Sequence, residues 1–263
     1  MGFSMSLIDF LLYVLAGAGV GIAVGLSGIG GGSLMTPILL GFGFPPHVAV
    51  GTDLLYAAFT KISGIASHQR QGHIDWKVML RLTAGSVPAA VVTVFLLNRF
   101  FTGAHDYSGL ITTTLGIMLI LTATVLIFKT PLQRWTGQGD RWVNRHVVPL
   151  TLVAGVVLGV CVTLSSVGAG VFGTAVLMLL YPFFAPGRIV GTDIAHAVPL
   201  TLVAGGGHLL LGNVDFALLL ALLVGSVPAI HLGAWLSKYL PENLLRGMLT
   251  LLLLTMGIRY AFF

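Results

Sequence analysis

At 263 residues, 56% hydrophobic and only 8% charged, the chain lies far from the composition of soluble domains, in which about a quarter of residues are charged. Its net charge of +5 comes without any Lys/Arg run or basic patch interleaved with aromatics, which excludes nucleic acid as a partner and leaves the lipid bilayer. The single cysteine, Cys161, excludes a disulfide framework and a cysteine metal site, and no HxxxH or HExxH pair offers a metal or cofactor site.

Apolar runs fall at 7–26, 33–44, 47–67, 76–97, 107–128, 147–166, 173–184, 188–210, 215–236 and 243–262. Most match the ~20 residues of a spanning helix. The runs at 33–44 and 173–184 are about half that, and predict broken or hairpin helices. The sequence therefore predicts an all-α polytopic membrane protein of about 8–10 membrane segments. The first run resembles a secretion signal but lacks a basic start, so it is read as a retained helix. Its Gly17, Gly21 and Gly25 recur every four residues, the spacing of close helix packing.

Next comes the glycine-rich tip Gly28-Ile29-Gly30-Gly31-Gly32-Ser33. A helix break in hydrocarbon strands amide groups unless protein, water or a ligand satisfies them. Free amides at a helix N-terminus attract anions, and Ser33 stands where an N-cap would. Gly30, Gly31, Gly32 and Ser33 are thus candidate substrate contacts, with close packing as the competing reading.

The following run opens with Gly51-Thr52-Asp53 and carries Lys61 at its middle and His68 near its end. Thr52 and Asp53 are good N-caps for their own helix, while a carboxylate inside an apolar run also suits proton coupling. Lys61 is expensive in lipid unless it serves a bound anion or snorkels to the surface. Gly85-Ser86-Val87-Pro88-Ala89 then puts a proline inside a spanning helix, as a hinge or packing point. A polar, basic linker at 130–146 divides a first unit, 1–129, from a second, 147–263.

The second unit repeats the first at an offset of 140. Gly191-Thr192-Asp193 answers Gly51-Thr52-Asp53, His208 answers His68, Asp215 answers Asp75, and Gly225-Ser226-Val227-Pro228-Ala229 answers the motif at 85–89. Positions 19–89 and 159–229 share 23 identities in 71 ungapped places. An internal duplication predicts two halves that build one site. The second tip, Gly168-Ala169-Gly170, precedes a short apolar run with Thr174 as a further N-cap candidate. Thr201 stands in the place of Lys61, so the site is asymmetric. Candidate substrate contacts are then Thr52, Lys61, Gly170 and Thr192 beside the first tip, and candidate proton-coupling or gating groups are Asp53, His68, Asp193, His196 and His208.

If each short segment goes in and returns with the run before it, the halves are inverted. Ten Lys and Arg then share one side against two, whereas parallel halves give eight against four. The positive-inside rule favours inversion, with the linker cytoplasmic.

Together, Gly28 to Leu34 with Pro37, Pro46 with Gly51-Thr52, His68 with Gly72-His73-Ile74-Asp75-Trp76, the 85–89 motif and the weaker second copy resemble the sulfite exporter TauE/SafE family of membrane permeases. The resemblance implies secondary transport of a small sulfur-containing anion, sulfite or an organosulfonate, across the inner (cytoplasmic) membrane, with proton coupling plausible. It implies no enzyme and no cofactor. Val171 and Phe172 replace glycines of the first tip, which leaves open which tip touches substrate. Two other readings stand beside it. An anion channel also lines itself with backbone dipoles, and Gly25-Leu26-Ser27-Gly28 fits the GxSG of rhomboid intramembrane serine proteases, though it occurs once in a duplicated chain. The oligomeric state is open, a homodimer being one candidate.

Overall fold

The computed structural model describes residues 6–27, 34–101, 107–135, 145–236, 239 and 242–262. Among these, helices account for the regular structure. In chain order they are α1 (Leu7–Ser27), α2 (Met35–Gly41), α3 (Pro46–Arg70), α4 (Trp76–Phe100), α5 (Ser108–Trp135), α6 (Val147–Ser165), α7 (Val171–Leu180), α8 (Pro186–Leu210), α9 (Phe216–Leu236) and α10 (Glu242–Phe262). The expected short helices are α2 and α7. The linker starts later than expected, because α5 continues through Trp135; residues 136–144 lie outside the described set.

Among the described residues, six helices are long and apolar enough to cross a membrane: α1, α4, α5 through Phe128, α6, α8 and α9. Leu7, Leu15, Phe95, Phe128, Val153, Leu220 and Leu251 are among the large apolar side chains left exposed, as lipid contact requires. α3 has the same 25-residue length as α8 and, like it, one Asp, one Arg and two His, but a lower hydropathy, since it adds Lys61, Ser63, Ser67 and Gln69. Burial against protein accommodates that load: Thr52, Asp53 and Leu54 are fully enclosed.

The contacts between helices fix their directions. Gly51 lies against His208 and Asn213, Leu55 against Gly205, and Ile194 against Gly64, so α3 and α8 run antiparallel. Ser86 meets His196 and Val94 lies against Gly207, so α4 runs with α8. α1 runs with α9: Gly17 meets Leu222, Gly21 meets Ser226, and Gly25 meets Ile230, Gly233 and Ala234, backbone to backbone. In α6, Gly155 meets Leu82 and Gly159 meets Ser86 in the same manner. Packing thus accounts for the four-residue glycine ladder of α1. The motifs at 85–89 and 225–229 are the opposite faces of these seams, with Pro88 and Pro228 inside their helices.

Proline at the first or second helical position starts both α3 and α8, where its missing N–H costs nothing. Asp53 and Asp193 therefore sit about two turns inside their helices, not at the starts expected for N-caps.

Candidate functional site: a buried lysine between two carboxylates

The chain leaves α6 at Ser166, which has a left-handed backbone (φ 57°), and reaches α7 through Gly168 (φ 123°) and Gly170 (φ 152°). Side chains rarely tolerate these last two conformations, so the glycines are what allow the break. Lys61, 6% exposed in the middle of α3, donates from Nζ to the Ala169 carbonyl in this break at 2.7 Å. An ammonium that finds a fixed dipole and buried counter-charges needs no water to remain in the core. Its acidic electrostatic neighbours are Asp193 and Asp53.

Asp53 reaches away from α3 to the start of α2, where its Oδ2 accepts from the Thr36 amide at 3.1 Å and the Thr36 hydroxyl at 2.5 Å. It thus caps the half-helix before it in sequence. Ser166, at the end of α6, is a further neighbour of the same carboxylate. Asp193, 2% exposed, lies against Gly173 in the first turn of α7, where a Cβ would collide with its carboxylate. Its Oδ1 is without a hydrogen-bond partner among the described residues, as is His196 Nδ1, while Ser226 stands beside Tyr56. Buried groups of this kind are unusual, and the two here adjoin one cation, where they are open to a further partner.

The histidines divide. His196 is fully buried, and its Nε2 pairs with Ser86 Oγ at 2.8 Å. His208 Nε2 pairs with the Thr163 carbonyl at 2.9 Å, and Asn213 lies 3.3 Å from its Nδ1; it ties α6 to α8. His68 stands half-buried near the end of α3, its ring centroid 5.8 Å from that of His73.

Thr52 and Thr192 carry a different bond. The Thr52 hydroxyl accepts from the Asp215 amide at 3.1 Å, and the Thr192 hydroxyl accepts from the Asp75 amide at 2.9 Å while donating to the Arg188 carbonyl at 2.6 Å. These bonds tie each long central helix to the turn following the other. Gly170 is the N-cap of α7, without a side-chain cap, and Thr174 spends its hydroxyl on the Val171 carbonyl inside α7. Gly30, Gly31, Gly32 and Ser33 lie outside the described residues, as does the Ser27 side chain.

The structure therefore brings Lys61, Asp53, Asp193, His196 and the Gly170 break together and leaves His68 at the edge. It adds Thr36, Tyr56, Ser86, Ser166, Ser226 and the Ala169 carbonyl. Of these only Ser86 and Ser226 had a sequence signal, as the serines of the repeated motif.

The chain matches the family described as Sulfite exporter TauE/SafE over residues 13–260. It is 36% identical over 252 residues to Probable membrane transporter protein YjnA of Bacillus subtilis, covering 94% of this chain and 97% of that one. It is 28% identical over 252 residues to Probable membrane transporter protein YdhB of the same organism, covering 92% and 96%. A probable membrane transporter protein of Methanocaldococcus jannaschii is 28% identical over 264 residues, covering 94% and 93%. No solved structure matches. A match of this extent, on a helical bundle with a charged cluster at its centre, makes the chain a multi-pass membrane transporter of the TauE/SafE sulfite exporter family.

Proposed function

We propose that this transporter carries a small sulfur-containing anion, sulfite or an organosulfonate, across the inner (cytoplasmic) membrane as a proton-coupled secondary carrier. The observation that carries the reading is Lys61, a buried ammonium at the middle of a long helix, bonded to the backbone of a helix break. A fixed positive charge beside α7's first turn favours an oxyanion, and the family's description supplies sulfite as the solute. The neighbouring carboxylates are suited to proton exchange.

Alternating access follows from two halves, 1–129 and 147–263, related by inversion. The repeat at offset 140 and the antiparallel course of α3 and α8 support this arrangement. It makes the two ends of the α3–α8 pair equivalent exits on opposite faces of the membrane.

Uptake of labelled sulfite and methanesulfonate into proteoliposomes under imposed pH gradients tests the reading. Saturable flux that rises with the proton gradient, and falls at least about tenfold in Lys61→Ala, is expected; tenfold corresponds to ~1.4 kcal/mol of lost anion stabilisation. Absence of flux for every anion in soundly reconstituted protein overturns it.

A further inference from the structure

Lys61, Asp53 and Asp193 together hold one positive and two negative charges when all three are ionised, in a cluster at most 6% exposed. The empty site is then one charge short of neutral on the positive side. A monoanion entering it would raise the deficit to two in a medium that screens poorly. Anion binding at Lys61 therefore needs a compensating positive charge, and the structure distinguishes the two carboxylates that could take a proton.

Asp53 is anchored, since its Oδ2 accepts both the amide and the hydroxyl of Thr36 and so holds the start of α2. Asp193 has no comparable anchor among the described residues: its Oδ1 lies unpartnered there against Gly173, in the turn where α7 presents the positive end of its dipole. A carboxylate in that position carries the same negative charge on oxygen as the oxyanion the turn would receive. We propose that Asp193 is a built-in competitor for the substrate: it fills the first turn of α7 when the site is empty and yields it to the anion on taking up a proton. This rests on the anion-carrier reading above and adds the order and the residue. The titratable group that faces Asp193 is Lys61 from α3, which Asp53 and His196 in turn adjoin, His196 lying one turn along α8 from Asp193; Val171–Leu180 of α7 contributes none.

Methanesulfonate is a suitable probe, because its own charge is constant between about pH 5 and 8 and every pH effect belongs to the protein. Its binding to the purified full-length protein would be measured across that range for wild type, Asp193→Asn, Asp193→Glu and His196→Gln. Thermal unfolding of each variant would be recorded alongside.

One proton taken up per anion predicts that wild-type affinity falls about tenfold per pH unit above the titration of the exchanging group. Asp193→Asn should bind methanesulfonate with a pH dependence of less than about twofold over the whole range, and Asp193→Glu should restore the slope. The wild-type slope persisting in Asp193→Asn, or vanishing in His196→Gln while surviving in Asp193→Asn, overturns the assignment but leaves the carrier reading intact. If Asp193→Asn is unstable, an unchanged midpoint and slope in Asp193→Glu overturns the proposal, because a longer acid in that turn must shift the competition. Absence of binding and flux for both sulfite and methanesulfonate in the wild type removes the carrier reading and this proposal with it.

Discussion

The two ends of the α3–α8 pair begin alike and finish differently. At one end the Thr192 hydroxyl accepts the Asp75 amide, and Asp75 caps α4 through the Val78 amide at 3.0 Å. At the other the Thr52 hydroxyl accepts the Asp215 amide, and Asp215 caps α9 through the Leu218 amide at 3.0 Å. Beyond this shared pattern the ends diverge. Arg188, in the first turn of α8, forms an ion pair with Asp75 and lies 4.5 Å over the Phe184 ring; the residue 140 positions earlier is Val48. The half-buried His68 and His73 rings face each other at the Asp75 end. The other end holds a buried chain of His208, Asn213 and Tyr107. The Asp75 end carries an ion pair and two imidazoles that water and protons can reach, whereas the other end, beside its part-buried Asp215, is sealed by that chain. Opening is expected to be easier at the Asp75 end.

The largest effect should come from the sealed end. His208→Ala removes bonds to Thr163 and Asn213 and leaves a buried hole, a loss of about 2–4 kcal/mol, whereas His68→Ala should stay within about 1 kcal/mol. Thermal unfolding in one detergent compares them directly, and equal losses would erase the distinction between the ends. Next come the shared bonds. Thr52→Val and Thr192→Val each strand one amide, at a cost of about 1–2 kcal/mol apiece; a wide gap between the two would mean that the common pattern does not carry common weight.

The smallest effect on stability belongs to Arg188→Gln, about 0–1 kcal/mol, since the Arg188 side chain is 47% exposed and such pairs are screened. Its signature is acid sensitivity. Although partial burial opposes ionisation of Asp75, the Val78 amide and the Arg188 guanidinium hold its carboxyl below the usual range. A group depressed in the folded state stabilises above its unfolded pKa of about 4 and loses that contribution as pH falls through the folded value. Wild-type unfolding temperature should therefore drop between about pH 4 and 2 by more than that of Arg188→Gln, and parallel curves would show that the pair contributes nothing.

Much of this architecture could be read from the residues. Apolar run length located the half-helices, the four-residue glycine spacing in α1 anticipated a tight seam, and the lone cation among apolar neighbours singled out Lys61. What escaped was partnership. Thr52-Asp53 before an apolar run looks like a helix start, but Pro46 and Pro186 begin their helices earlier, and the buried carboxylates serve helices from other parts of the chain. That Asp53 would find Thr36, or Ser86 find His196, depends on which faces meet, and local periodicity carries no record of it. The repeat offset came closest: it paired Thr52 with Thr192 and Asp75 with Asp215, and the structure joins these residues crosswise, between the units.

The glycine seam between α1 and α9 has a practical consequence. Where two backbones touch with no side chains between them, there is no soft layer to absorb relative movement. A displacement of α9, which carries Ser226 beside Tyr56, must travel into α1. Leu7, Leu11 and Leu15 stand exposed on that helix, so a spin label or fluorophore attached there would report the motion of the interior from a position that disturbs none of it.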